Sequence, residues 1–201
     1  MLQKTTYSSC HVGGAQQQLY RAKGLGKAIV TIQDVGLSPR ATTHSSARVA
    51  NVDWIQIIAE EHISLMEGST KDFQILAGTQ DGQTFGDSQF KYMGIELHLG
   101  NEILELISPH DSIDGPKFSI KAAKTGITSL YVSTRQHSGQ RVLSQVVKVE
   151  VYKPLQIHPE YIYLTPGASF ALSVKGGPKT GVHIEYSSLN METVEVTSYR
   201  K

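Results

Sequence analysis

Gly26-Lys-Ala-Ile-Val-Thr-Ile32 returns one hundred positions later as Gly126-Ile-Thr-Ser-Leu-Tyr-Val132. Each copy opens on glycine and then alternates its side chains, Ala28, Val30 and Ile32 against Thr128, Leu130 and Val132. Trp54-Ile55-Gln56-Ile57 stands at the same offset from Pro154-Leu155-Gln156-Ile157. A third match follows with a slip of one residue, Gly68 through Phe73 to Ile75 against Gly167 through Leu172 to Val174. A fixed long period marks a repeated structural unit, and it constrains the fold more tightly than any local propensity.

The chain between the matches reads as strands. Val147, Val149 and Val151 alternate with Lys148 and Glu150; Phe118, Ile120 and Ala122 with Ser119 and Lys121; Ile95, Leu97 and Leu99 with Glu96 and His98. Period-two alternation is the mark of a half-buried strand. Turn signals separate the runs at Asp81-Gly82, Leu99-Gly100-Asn101, Asp114-Gly115-Pro116 and Ser138-Gly139. No long stretch has helical spacing; Glu60 to Met66, with its β-branched Ile63 and the Gly68 beyond, reads as a short strand into a turn.

Short strands with turns about every ten residues, in units of about 100, predict an all-β chain of tandem immunoglobulin-like β-sandwiches. The expected division is one complete domain at 52–153, the N-terminal half of a following domain at 154–201, and, at 1–51, an unplaced N-terminus with the terminal strand of a preceding unit and a linker. The polar stretch Gly36 to Ser46 reads as a strand-to-strand or interdomain link. The competing reading is one irregular β-domain of the whole chain. Tyr152-Lys153 runs directly into Pro154, which predicts a stiff joint whose candidate residues are Trp54, Ile55, Tyr152, Pro154 and Leu155. Gly26, Gly68, Gly126 and Gly167 are expected as structural glycines supplying turns before strands.

Composition narrows function by exclusion. Nineteen basic against eighteen acidic residues leave a formal charge of +1 over 201 residues, without the basic excess that nucleic-acid binding rests on. One cysteine, Cys10, excludes an internal disulfide framework and a multi-cysteine zinc site. The most apolar long uncharged run, Tyr161 to Val174, is interrupted by Pro166 and Gly167, short of the roughly 20 apolar residues of a helical span. The first ten residues lack a signal-peptide core; taken at face value the chain is soluble and untargeted.

Catalytic patterns are weak. The eight histidines show no i, i+2 or i, i+4 pair, and His98 and His183 read as solvent-side strand residues. His110-Asp111-Ser112 gathers triad residue types, but neighbours in sequence point apart. Asp81 to Asp87 has two carboxylates, few for calcium, and reads as a plain turn. Gly24-Leu-Gly26 and Val174-Lys-Gly-Gly-Pro178 lack the Lys-Ser/Thr or helix start of a phosphate loop. Trp54 reads as a core or junction residue ahead of an exposed patch, and His158, before Pro159, as part of the junction. No enzyme, metal or cofactor is predicted.

The strand ending at Ile32 resembles the closing strand of bacterial-type Ig-like repeats. The runs Val149 to Pro159, Ile162 to Gly167, Val174 to Pro178 and Gly181 to Ser188, with Val49 to Ile55 and Ile63 to Gly68, resemble the lumenal repeat region of the nuclear pore membrane glycoprotein 210-like family in its plant-type form. The resemblance covers about residues 24–197. It implies a nuclear-envelope protein whose Ig-like array lies in the perinuclear lumen. It also implies partners that are other copies of the same protein and pore membrane-ring proteins, with no nucleic acid and no small-molecule substrate. This chain shows no membrane helix, no pore-facing tail and no Asn-x-Ser/Thr acceptor, since Asn51, Asn101 and Asn190 are followed two positions on by Asp, Ile and Glu. The alternative reading is an Ig-like surface-binding or adhesion module for a protein or glycan.

Overall fold

A computed structural model describes residues 20–33, 36, 41–107, 113, 115–179 and 184–197. The chain falls into two compact units, residues 1–51 and 52–201. In the first, β1 (Gly26–Gln33) and β2 (Thr42–Val49) form an antiparallel hairpin, paired from Gly26 with Val49 to Gln33 with Thr42. Residues 42–46 are therefore strand, which corrects that part of the 36–46 link. Their Thr and Ser side chains suit either state, and the backbone ladder to β1 decides between them.

The second unit contains β3 (Trp54–Ile58), β4 (His62–Met66), β5 (Thr70–Gly78), a 3-10 turn (Asp87–Tyr92), β6 (Glu96–Leu99), β7 (Leu104–Ile107), β8 (Lys117–Ala122), β9 (Gly126–Arg135), β10 (Arg141–Leu143) and β11 (Val147–Tyr152). Two short strands follow, β12 (Gln156–His158) and β13 (Ser173–Lys175). One antiparallel sheet has the order β3-β5-β8-β7. In the other, β9 is flanked by β6 on one side and by β10 and β11 on the other, and β4 joins β11 in parallel. With β3, β5, β8 and β7 as A, B, E and D, and β6, β9 and β10–β11 as C, F and G, this is the strand order of a constant-type immunoglobulin sandwich. The chain is all-β, and β3 to β11 are a β-sandwich.

The alternation seen in the sequence becomes the core. Ile55 and Ile57 of β3, Phe73, Ile75 and Ala77 of β5, and Phe118, Ile120 and Ala122 of β8 are buried on one sheet. Leu130 and Val132 of β9 and Val147, Val149 and Val151 of β11 are buried on the other. Phe73 and Phe118 stack across the β5–β8 ladder at 5.2 Å between centroids. Phe90, from the 3-10 turn, is 1 % exposed. Each of the Val, Leu, Ile and Phe side chains contributes about 1.5–3 kcal/mol of transfer free energy, and together they hold the two sheets against each other.

The repeat is legible in the backbone. Gly26 heads β1 with φ +141°, and Gly126 heads β9 with φ +151°. At that glycine each strand meets a valine of a later strand, Gly26 with Val49 of β2 and Gly126 with Val151 of β11. Gly68 and Gly167 turn at φ +84° and +85°. Gln56 pairs with Leu76 in β3–β5, and Gln156 with Lys175 in β12–β13.

Candidate interdomain joint

The five joint candidates occupy opposite ends of the sandwich. β3 begins where β5 ends, since Trp54 pairs with Gly78, whereas Tyr152 closes β11 beside Met66, the last residue of β4. Tyr152, Pro154 and Leu155 are together; Trp54 and Ile55 are not with them.

At the first end Trp54 is fixed within its own sandwich. Its indole N–H donates to the Thr79 carbonyl at 3.0 Å. The ring lies against Gly78, where an added Cβ would collide with Cζ2 and would stand 2.6 Å from the Gln83 carbonyl oxygen. A small residue opposite the aromatic makes room for it, the usual reason for a glycine inside a strand. Asp53 ties this end together: its carboxylate accepts from the Gln80 backbone N–H at 2.8 Å and from Gln136 Nε2 at 3.1 Å, and Gln136 also donates to the Val52 carbonyl at 3.0 Å. Ile55 is a core residue, 4 % exposed.

At the second end the chain leaves β11 and is caught again by its own continuation. Tyr152 accepts from the Glu67 N–H at 2.8 Å. After β12 and β13 have paired, Gly176 and Gly177 turn at φ +83° and +79°, and the Gly177 N–H donates to the Lys153 carbonyl at 2.8 Å. Two residues on, the Lys179 N–H donates to the Glu150 carboxylate at 3.1 Å. Glycine is required at 176 on two counts. Its φ disfavours L side chains, and an added Cβ would collide with the Pro154 carbonyl oxygen and stand 2.9 Å from that of Lys153. At Gly177 a Cβ would stand 2.8 Å from Leu155 Cδ2.

This contact is built from backbone and one carboxylate rather than from apolar burial. Tyr152 is half-buried, Pro154 is exposed, and Leu155 is 52 % exposed. The Gly-Gly-Pro run, set aside in the sequence because it lacks phosphate-loop context, is the part that sequence reasoning missed; its signal was two adjacent glycines about one period after the β5 end at Gly78. His158 lies on β12, where its carbonyl accepts from Ser173 Oγ at 3.2 Å.

The other singled-out residues resolve into structural contacts. His98 is packed rather than solvent-side: its ring stacks on Tyr131 at 4.6 Å between centroids, and Nε2 lies 2.8 Å from Ser133 Oγ and 3.8 Å from a Glu96 carboxylate oxygen. In the Asp81–Asp87 stretch, the Asp81 carboxylate accepts the Thr79 hydroxyl. Among the described residues no group of three His, Cys, Asp or Glu could hold a metal ion, and no helix is long and apolar enough to cross a membrane. Cys10, His11, His110-Asp111-Ser112 and His183 lie outside the described residues.

The strand order and core define a chain of immunoglobulin-like β-sandwich class. No family model matches it. It is similar to the human protein "Nuclear pore membrane glycoprotein 210-like", 23 % identical over 162 residues, which is 80 % of this chain and 8 % of that protein. The chain thus spans under a tenth of the length of this relative. Among solved structures, S-layer protein SbsC domains 4–9 matches 78 % of this chain and 24 % of that one at 15 % identity and a TM-score of 0.39. SbsC domains 4 and 5 match 55 % and 58 % at 14 % identity and 0.38. The fibronectin(III)-like modules of Clostridium thermocellum CbhA match 63 % and 62 % at 14 % identity and 0.31.

Proposed function

We propose that this chain is a non-catalytic segment of a nuclear pore membrane glycoprotein of the 210-like family, a spacer in its lumenal array of Ig-like domains. On this reading 52–153 is one complete domain, β12–β13 opens the next, and β1–β2 closes the one before. Its partners are other copies of the same protein and proteins of the pore membrane ring, and its place is the perinuclear lumen. The observation that carries the reading is the joint. With 52–153 and 154–201 taken as successive units, the Gly177 N–H bonded to the Lys153 carbonyl and the Lys179 N–H bonded to the Glu150 carboxylate support a joint with almost no free linker, as a load-spacing array needs and a flexibly tethered binding module does not. The sequence likeness to the human protein supports a place at the nuclear pore membrane. Immunogold labelling with antibodies raised against this chain tests it: gold is expected on the lumenal side of nuclear pores. Gold at the cell surface, with none at pores, would overturn the assignment in favour of an adhesion module.

A further inference from the structure

An edge strand exposes alternate backbone groups to pairing by another chain, a hazard that sandwiches must manage. Among the described residues β3 is such an edge, paired with β5 alone in the sheet order. Its run Trp54-Ile-Gln-Ile-Ile-Ala59 has no charge and no proline, the composition that favours strand-on-strand association. Ile57 turns its N–H and C=O away from β5, and a single side chain meets both. The Ile57 N–H donates to Gln145 Oε1 at 3.3 Å, and Gln145 Nε2 donates to the Ile57 carbonyl. A carboxamide carries the same donor and acceptor as a peptide group, so Gln145 stands where a neighbouring strand would. By alternation the N–H and C=O of Ile55 point the same way as those of Ile57. A groove of about 820 Å³ lined by Trp54, Ile55, Gln56, Ala59, Glu61, Gln145 and Val146 lies beside them.

We infer that Gln145 is an edge lock, an intrachain substitute strand that keeps β3 from pairing antiparallel with β3 of a second copy. The occupant follows from self-complementarity: with Gln56 opposite Gln56 of the other copy, Ile55 of each meets Ile57 of the other through their outward-facing backbone groups. Trp54 then faces Ile58, which is 50 % exposed, and no charged residue falls within the pairing. The lock is independent of the nuclear-pore reading.

The test compares the full chain with Gln145→Ala and Gln145→Glu, the second keeping length and acceptor but losing the donor, by hydrogen exchange and sedimentation velocity. At low concentration the Ile57 amide is expected to exchange roughly fivefold faster in Q145A, the loss of about one hydrogen bond, with Ile75 and Ile120 unchanged. At high concentration Q145A forms a dimer absent from the parent, Q145E does so more weakly, and adding Gln56→Lys abolishes it by opposing like charges. An Ile57 amide that does not change, a Q145A chain that sediments as the parent does, or a dimer that survives Q56K would overturn the lock. If Q145A loses core protection, Q145E carries the same comparison.

Discussion

β3–β5 and β12–β13 are two versions of one strand pair, alike in register and in the glycine turn between them, and opposite in burial. Ile57 is 0 % exposed and Ile157, one hundred positions on, is 52 % exposed. Both sit on a strand paired antiparallel to the one after a positive-φ glycine. The difference is the second sheet. Strands β6, β9, β10 and β11 lie over β3–β5, while among the described residues no second sheet covers β12–β13. Local sequence is thus enough to set a strand pair and its register, and the opposing sheet is what turns the pair into a core. Two strands alone are marginal in water.

The sharpest way to break this comparison is to truncate the two equivalent isoleucines. Ile57→Ala is expected to cost about 2–5 kcal/mol, the range for a fully buried aliphatic residue. Ile157→Ala should stay within about 0.5 kcal/mol, as exposed sites do. Trp54, the one tryptophan, sits in the sandwich and reports its denaturant unfolding. Equal costs at the two sites would mean that β12–β13 is packed as deeply as β3–β5.

How much of this was readable beforehand follows the same division. The alternation of Val147, Val149 and Val151 or of Phe118 and Ile120 announced strands because a half-buried face imposes a period of two. The glycines announced turns because so few residues tolerate positive φ. The β2 strand escaped, since its Thr, His and Ser side chains are exposed and carry no apolar period. The two ends of the sandwich escaped as well: Trp54 and Tyr152 look like members of one apolar junction in sequence, and only strand direction separates them. The Gly176–Lys179 contact is made by backbone groups and the single Glu150 carboxylate, which leave little imprint on side-chain pattern.

A second pair of substitutions compares the two ends. Gly78→Ala drives a Cβ into the Trp54 ring and toward the Gln83 carbonyl; overpacking of this kind costs about 1–3 kcal/mol, read in the Trp54-monitored transition. Gly176→Ala meets a strained φ and the Pro154 carbonyl, a local cost of the same order, about 1–3 kcal/mol. It should leave the sandwich transition in place while the Gly177 and Lys179 amides lose protection and scattering reports a wider range of chain dimensions. A sandwich transition lowered as much by Gly176→Ala as by Gly78→Ala would mean that the joint and the sandwich unfold as one unit.

A smaller effect of opposite sign is expected at Thr128. Its hydroxyl is buried with no hydrogen-bond partner among the described residues, on the inner face of β9, and the matching position in β1 is Ala28. Removing an unpaired buried polar atom while keeping the shape relieves its desolvation, so Thr128→Val should raise stability by about 1 kcal/mol. A loss of stability would show that the hydroxyl is satisfied in solution.

The smallest expected effect lies on the surface of the same sandwich, at Glu102 and Lys124. Lys124 Nζ stands 2.9 Å from Glu102 Oε2, and both side chains are open to solvent. The hydrogen bond to Lys124 first, and its charge second, hold the Glu102 carboxyl below its usual range; the reciprocal bond and charge hold the Lys124 ammonium above its own. A carboxyl depressed in the folded state stabilises above its unfolded pKa, and that contribution is lost as pH falls through the folded value. An ammonium raised in the folded state stabilises below its unfolded pKa, and that contribution is lost as pH rises through the folded value. The pair therefore acts across the neutral range and disappears at both extremes. Exposed pairs are weak and screened by salt. Glu102→Gln should shift the Trp54-monitored midpoint barely measurably at neutral pH in low salt, and not at all in high salt or in strong acid. A shift that persists in high salt would mean that this pair, unlike other exposed ion pairs, is held by the fold.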